Sequence, residues 1–232
     1  MDLKEPFNLP SDGKIYGKEV TAEYTIRAPR LKDKGIGDLR FRNKIQSECL
    51  KKCLEPTPEV DPYDWHTSDF TAANLAQRMV ARGKNMPLLV KCTCGHQEEI
   101  EVDLSTLKIN RPKLPLDLEY ETRSGDIVQL RFFTPRILDS IKVNIDKFKE
   151  EYPEATQDLS LQETCRAIIV SVNGEKLPYS QMTNYLLESY EVDLNGMVDK
   201  VFSTNFGPVL IQTRNCSKCK KLLTFSVSPD NG

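Results

Sequence analysis

Hydrophobic and polar residues follow two different periods along the chain, and together these periods predict both helices and strands. Apolar residues at helical spacing predict six helices. They cover 38–54, 68–82, 134–152, 160–169, 179–189 and 192–202. Period-two alternation predicts three hairpins and two further strands. The hairpins cover 86–104, 118–133 and 209–227, and the strands cover 20–26 and 169–172. The mixture predicts an α+β fold, with helices packed against β-hairpins.

Capping residues support several of these helix boundaries. Thr67 or Ser68 can cap the second helix, and Gly83 provides its stop. Pro135 falls in a first turn, where its missing N–H costs little. Ser160 followed by Glu163 reads as a capping box.

The first 37 residues differ in composition from the rest of the chain. They are rich in Pro, Gly and Lys, and the strand over 20–26 is the only one that the pattern supports there. We therefore predict an extended N-terminal arm over 1–37 and a single α+β body over 38–232. Such an arm can lie along another protein or fold back onto its own core, and the sequence leaves both alternatives open.

Charge and hydropathy exclude several classes of protein. The chain has 232 residues, with 32 Lys plus Arg against 34 Asp plus Glu, so nothing global attracts it to nucleic acid or to lipid. No run approaches the 18 apolar residues of a membrane span, and the N-terminus lacks the apolar core of a signal peptide. We expect a soluble cytosolic protein. Its seven cysteines would then stay reduced, which favours metal binding over disulfides.

Four cysteines form two pairs about 120 residues apart, each at the tip of a predicted hairpin. Cys92 and Cys94 are at the turn of 86–104, and Cys216 and Cys219 are at the turn of 209–227. Four thiolates on such turns are typical of a tetrahedral zinc site. We predict a structural Zn²⁺ in a split zinc-ribbon-like site that joins the two hairpins around the helical segment 134–206.

The first pair is the weaker half of this prediction. Cys92-x-Cys94 is one residue shorter than the usual knuckle, so His96 is an alternative fourth ligand. Four unpaired thiols remain a further alternative. A redox Cys-x-x-Cys motif would open a helix, whereas Cys216-x-x-Cys219 is followed by a strand pattern. Four thiolates leave no open position for catalytic water, and no nucleophile motif or phosphate loop is present, so we predict no enzymatic activity.

The remaining cysteines and a cluster of basic residues favour neither a second metal site nor nucleic-acid binding. Cys49, Cys53 and Cys165 are predicted to be buried core residues. A basic patch, interleaved with Asp33 and Asp38, lies before the first predicted helix and at its start. We predict that it is a solvated or protein-binding face. It comprises Arg27, Arg30, Lys32, Lys34, Arg40, Arg42 and Lys44. A zinc-ribbon regulator that binds nucleic acid is the alternative function. A zinc hydrolase or a redox protein is a third hypothesis.

Two short motifs carry a resemblance to a known family. The segment 7–16 contains Leu9-Pro10-Ser11, Gly13 and Tyr16 in the pattern Leu-Pro-Ser-x-Gly-x-x-Tyr, and Phe206-Gly207-Pro208 lies near the end of the chain. With its length and mid-chain knuckle cysteines, the sequence resembles the baseplate hub proteins of T-even-type contractile-tailed bacteriophages. Family members are acidic after the first strand, whereas this chain is basic there.

The resemblance implies a role in building the central hub of the baseplate, as a hub subunit or as an assembly chaperone, without enzymatic activity. The implied partners are other hub or tail proteins, and no membrane is involved. The implied locations are the host cytoplasm during assembly and the virion tail baseplate. On physical grounds Leu9, Pro10 and Tyr16 would be the partner contacts of the arm, because a Pro-restricted segment loses little entropy on docking.

Overall fold

Helices and small antiparallel sheets share the chain, as the two hydrophobic periods predict. The structure is a computed structural model that describes residues 3–17, 20–34, 37–154 and 159–228. Within these ranges it has six α-helices, and the α+β prediction is confirmed. The helices are α1 Arg42–Cys53, α2 Thr67–Arg82, α3 Pro135–Glu151, α4 Ser160–Ile168, α5 Tyr179–Glu188 and α6 Glu191–Phe202.

The strands form five small sheets within the described ranges. They are β1 Lys4–Asn8, β2 Glu23–Arg27, β3 Leu54–Glu55, β4 Asn85–Lys91, β5 Gln97–Asp103, β6 Ile109–Asn110, β7 Glu119–Glu121, β8 Ile127–Leu130, β9 Ile169–Val172, β10 Gly207–Pro208, β11 Ile211–Asn215 and β12 Leu222–Ser226. The two larger sheets have the orders β1-β2-β3 and β7-β8-β9, and the pairs β4-β5, β6-β10 and β11-β12 stand separately. All pairings are antiparallel.

Two of the predicted helix caps differ from those in the structure. His66 is the N-cap of α2, since its Nδ1 accepts a hydrogen bond of 3.0 Å from the Ser68 N–H. Ser160 is the first residue of α4 rather than its cap, and the Glu163 side chain instead accepts from Asn144. A buried imidazole can replace a hydroxyl at the cap because the helix start needs only an acceptor for its free N–H groups.

Buried side chains divide into three clusters. A helical core packs β8 and β9 against α4, α5 and α6, with Met197 fully buried. An N-terminal core packs β1 and β2 against α1 and α2 around Trp65. A hairpin core packs the inward faces of β4–β5 and β11–β12 against Leu75 of α2. Helix α2 therefore belongs to two cores.

The N-terminal residues contain two strands where the sequence predicted one. β1 has no clean alternation and includes Pro6, so the pattern gave no signal for it. It pairs with β2, which in turn pairs with β3 at the end of α1. The described part of the predicted arm thus shares the N-terminal core with α1 and α2. The division of the chain at residue 37 stays a prediction.

Candidate metal centre

The first cysteine knuckle is the turn between β4 and β5. The inward faces of the two strands alternate, so Met86, Leu88 and Val90 point into the hairpin core and Cys92 continues the same row. The Cys92 N–H donates to the His96 carbonyl at 2.8 Å, and the Gly95 N–H donates to the Cys92 carbonyl at 2.9 Å. Gly95 has a φ of 84°, which a residue with a side chain rarely adopts. Gly95 therefore allows this tight turn although only one residue separates Cys92 from Cys94.

The second knuckle is the turn between β11 and β12. The Cys216 N–H donates to the Lys221 carbonyl at 2.9 Å, and the Lys220 N–H donates to the Cys216 carbonyl at 3.0 Å. Leu223 and Val227 of this hairpin pack in the hairpin core together with the inward face of β4–β5. This packing sets the two knuckles side by side.

The four sulfur atoms lie close enough together to hold one metal ion. The Sγ atoms of Cys92, Cys94, Cys216 and Cys219 all lie within 4.8 Å of one another. Cys92 Sγ is 3.5 Å from Cys219 Sγ, and Cys94 Sγ is 4.0 Å from Cys216 Sγ. A tetrahedral zinc with bonds of about 2.3 Å needs sulfurs separated by roughly 3.8 Å. The donor set and its spacing therefore fit a tetrahedrally bound metal ion.

The thiols of this centre perturb one another. The Cys94 N–H points at Cys92 Sγ over 3.5 Å and, with the neighbouring thiols, lowers the pKa of Cys92 to about 6. The Lys221 N–H lowers the pKa of Cys219, but burial and the other three thiols raise it to about 11. Cys92 thus ionises easily, whereas burial and the hydrogen bonds among the thiols keep Cys219 protonated, and a bound cation would favour the thiolate form of both.

His96 lies outside the group of four sulfur atoms. Its Nε2 is 3.0 Å from the Ser217 hydroxyl, on the opposite knuckle. Glu98 accepts from the Ser217 N–H at 3.3 Å, and the hydrogen bonds from the Ser217 hydroxyl and N–H lower the pKa of Glu98. His96 and Glu98 of the first hairpin thus both contact Ser217 in the second knuckle. The structure therefore brings together the four predicted cysteines, while the alternative ligand His96 has a different contact.

The other cysteines are separate from this centre. Cys53 and Cys165 are buried as predicted, and Cys165 Sγ lies 3.4 Å from the Leu194 carbonyl. Cys49 was predicted to be buried as well, but it is only partly buried. In the predicted basic patch, Arg27 pairs with Asp33 and Arg40 pairs with Asp38, both at 2.6 Å. These pairs neutralise part of the charge that a nucleic-acid surface would need.

The N-terminal motif folds back onto α2. Leu9 and Pro10 are buried, and Tyr16 is partly buried against the N-terminal core. The Ser11 N–H and hydroxyl donate to Asp69 at 3.0 and 2.5 Å, and the Tyr16 hydroxyl donates to Asp69 at 2.6 Å. Contact of Leu9, Pro10 and Tyr16 with a partner stays a prediction, and for the two buried side chains it requires the segment to leave this position.

Arg111 and Gly13 complete the docking of this motif. Arg111 Nη1 donates to the carbonyls of Leu9 and Pro10 at 3.1 and 2.9 Å. Gly13 has a φ of 71°, and a Cβ there would overlap the Val20 carbonyl oxygen. The glycine of the motif is thus explained by backbone conformation and by lack of space.

The second motif reaches the same turn of α2 from the other end of the chain. The Phe206 N–H donates to the Ser68 hydroxyl at 3.2 Å, and the Phe206 ring lies 4.5 Å from the His66 ring. A Cβ on Gly207, whose φ is 83°, would lie 3.2 Å from the Ser68 carbonyl oxygen. The first turn of α2 therefore joins both motifs. Sequence reasoning missed Asp69, because an acidic residue in a first helical turn needs no tertiary partner to explain it.

Fold and site together define an α+β protein in which two distant hairpins meet at a four-cysteine centre that can hold a metal ion. No helix in the described ranges is long and apolar enough to cross a membrane.

A family model described as T4 bacteriophage base plate protein matches residues 7–228, and the chain belongs to this family. No curated protein and no solved structure matches the chain. The resemblance to phage baseplate proteins is confirmed. Membership in this family indicates a protein of the phage baseplate that contacts other tail or baseplate proteins.

Proposed function

We propose that the protein acts in the central hub of the phage baseplate, as a hub subunit or as a chaperone of hub assembly. The match of the baseplate family over residues 7–228 carries this proposal. The docked Leu9–Tyr16 motif and the Phe206–Pro208 motif support it, because both parts of the resemblance meet on one structural feature, the first turn of α2. The protein then works through the surfaces that its cores hold in place.

We further propose that the centre holds one structural Zn²⁺, with Cys92, Cys94, Cys216 and Cys219 as ligands. The sulfur separations support this ligand set, and four thiolates would fill a tetrahedral shell. The chain's own residues then orient the knuckles and leave no position for a reactive water. Elemental analysis of the purified protein, combined with thiol titration, should find one zinc ion per chain and four thiols that are protected until a chelator is added.

Mass spectrometry of purified phage particles, compared with lysate of infected cells, tests the hub role. A hub subunit gives peptides in both samples, and a chaperone gives peptides in the lysate together with hub proteins but not in finished particles. Purified protein that binds none of the hub or tail proteins of the same phage, and that is dispensable for baseplate assembly, would contradict both forms of the proposal. Binding of DNA at low salt that weakens steeply with added salt would instead support the nucleic-acid alternative.

A further inference from the structure

The edges of the longer β-strands differ in how they are protected. An exposed strand edge offers free N–H and C=O groups to other chains, and proteins usually protect such edges with proline or charge. Backbone hydrogen bonds just beyond the strand ends show which residues of each strand point their N–H and C=O groups away from the partner strand. In β1 the Leu9 N–H donates to the Ala22 carbonyl and the Leu3 carbonyl accepts from the Ala28 N–H. The backbone groups that alternate with these point outward, and they belong to Lys4, Pro6 and Asn8. In β5 the outward residues include Glu99, Glu101 and Asp103.

β4 is protected in the same way. Backbone hydrogen bonds join Leu104 to Lys84 and Cys92 to His96, at the two ends of the hairpin. The alternation between them leaves the backbone of Pro87 and Lys91 facing outward. A proline has no N–H to offer and a charge on an edge disfavours a second strand. These edges of β1, β4 and β5 are therefore protected against strand addition.

The outer edge of β12 lacks these features. The Val227 N–H donates to Leu210 and the Cys216 N–H donates to Lys221, so the backbone groups of Leu222, Thr224 and Ser226 turn away from β11. These groups make no backbone hydrogen bond with any described residue. All three side chains are exposed, and Leu222 keeps 67% of its surface in solvent. β12 contains no charge, no proline and no bulge over its five residues.

The knuckle beside this edge is basic. Lys218, Lys220 and Lys221 are exposed next to the first residues of β12, and none of them forms an ion pair with a described residue. An extended segment placed along β12 would meet these lysines at one end and uncharged side chains over the rest. The complementary segment is therefore uncharged and rich in β-branched residues, with acidic residues at the end beside the knuckle.

We propose that the outer edge of β12 is a docking site for such a segment from another baseplate protein, which adds a third strand to the β11–β12 sheet. This inference rests on the proposed function, which supplies baseplate proteins as partners. A second copy of the chain is a poorer occupant. Two β12 strands paired about Thr224 would place Val227 opposite Lys221 and Ser228 opposite Lys220, and neither residue carries a negative charge; only Lys218 would fall opposite an acidic position of the sequence, Asp230.

A matched pair of proline variants tests the docking edge. Thr224 and Thr213 lie directly opposite each other, and their N–H groups turn outward on the two opposite edges of the hairpin. Thr224→Pro removes an outward N–H from β12, and Thr213→Pro removes its equivalent from β11, so both should affect the hairpin itself similarly. The full-length wild type and both variants are titrated against each of the other purified baseplate proteins of the same phage, with metal content and circular dichroism as checks of folding.

We expect at least one baseplate protein to bind the wild type, to bind Thr213→Pro within about twofold, and to bind Thr224→Pro at least tenfold more weakly, which corresponds to about 1.4 kcal/mol. Thr224→Glu provides a second variant that keeps the backbone N–H, and it should also weaken binding because it places a charge against the uncharged part of the segment. Lys220→Glu combined with Lys221→Glu should weaken binding and reduce its salt dependence.

Equal binding by the wild type and by folded Thr224→Pro and Thr224→Glu would overturn the docking edge and leave the hub proposal intact. A dimer of the purified protein that Thr224→Pro abolishes would overturn the choice of occupant in favour of a second copy. If the wild type binds none of the baseplate proteins, this inference fails, and particle mass spectrometry then decides separately whether the hub proposal fails as well.

Discussion

At the scale of the residue, Asp69 explains why the N-terminal motif contains the residues it does. Its carboxylate is fully buried and accepts hydrogen bonds from Ser11 and Tyr16. Burial raises the pKa of Asp69, and the hydrogen bonds from Ser11 and Tyr16 oppose this effect. A buried carboxylate is tolerated only where donors satisfy it. The serine and the tyrosine of the motif are thus the donors that the buried acid requires.

Asp69→Asn should destabilise the protein by about 2 kcal/mol, because the amide places a donor group among donors and leaves buried groups unsatisfied. Urea unfolding measures the loss. Asp199→Asn, at an exposed position on α6, is the matched control and should change stability by less than about 0.5 kcal/mol. An Asp69→Asn protein as stable as the control would show that the motif is not held by this carboxylate.

His66 makes stability depend on pH. Burial lowers its pKa to about 4, while in the unfolded chain it stays near 6.5. The unfolded state therefore binds a proton first as the pH falls, so stability is lost between about pH 6.5 and 4, by up to about 3 kcal/mol. Urea unfolding of the wild type and of His66→Gln should show a shallower pH dependence in the variant. Identical slopes over this window would contradict the assignment, since acid effects on the cysteines are common to both proteins.

At the scale of the element, the short first knuckle determines whether the ligand set is complete. Cys94 lies 4.0 Å from Cys216, whereas His96 contacts Ser217. We expect Cys94→Ser to lose most of its zinc and to melt at a lower temperature, because a hydroxyl is a poor ligand where a thiolate is needed. His96→Ala should keep one zinc ion per chain. Elemental analysis distinguishes them, and zinc lost from His96→Ala but kept by Cys94→Ser would reverse the ligand assignment.

The elements also show what the sequence could and could not predict. The hairpins that carry the cysteines were predictable because inward apolar residues such as Leu88, Ile100 and Leu223 alternate cleanly. β1 was not, because Lys4–Asn8 has no periodic pattern and is ordered by its backbone pairing with β2. The capping role of His66 was missed for a similar reason: it depends on a pocket formed by Phe132 and Phe206 from distant parts of the chain.

At the scale of the whole molecule, α2 links the centre to both sequence motifs. Its first turn binds the segments around Ser11 and Phe206, and its later residue Leu75 packs in the hairpin core beneath the cysteines. The helical core, by contrast, contains none of the four cysteines of the centre and no residue of α2. The metal centre should therefore stabilise one part of the molecule far more than the other.

Chelation of the metal should separate these parts. In the hairpins β4–β5 and β11–β12, amide hydrogen exchange should accelerate by tenfold or more, because a two-stranded hairpin has only marginal stability without a bound metal to link it to its neighbour. In α6 and β8, which pack in the helical core, exchange should change by less than about threefold. Hydrogen exchange followed by mass spectrometry, with and without chelator, resolves these segments, and added zinc should restore protection. Uniform acceleration across α6 and the hairpins would show instead that the metal stabilises the whole fold as one cooperative unit.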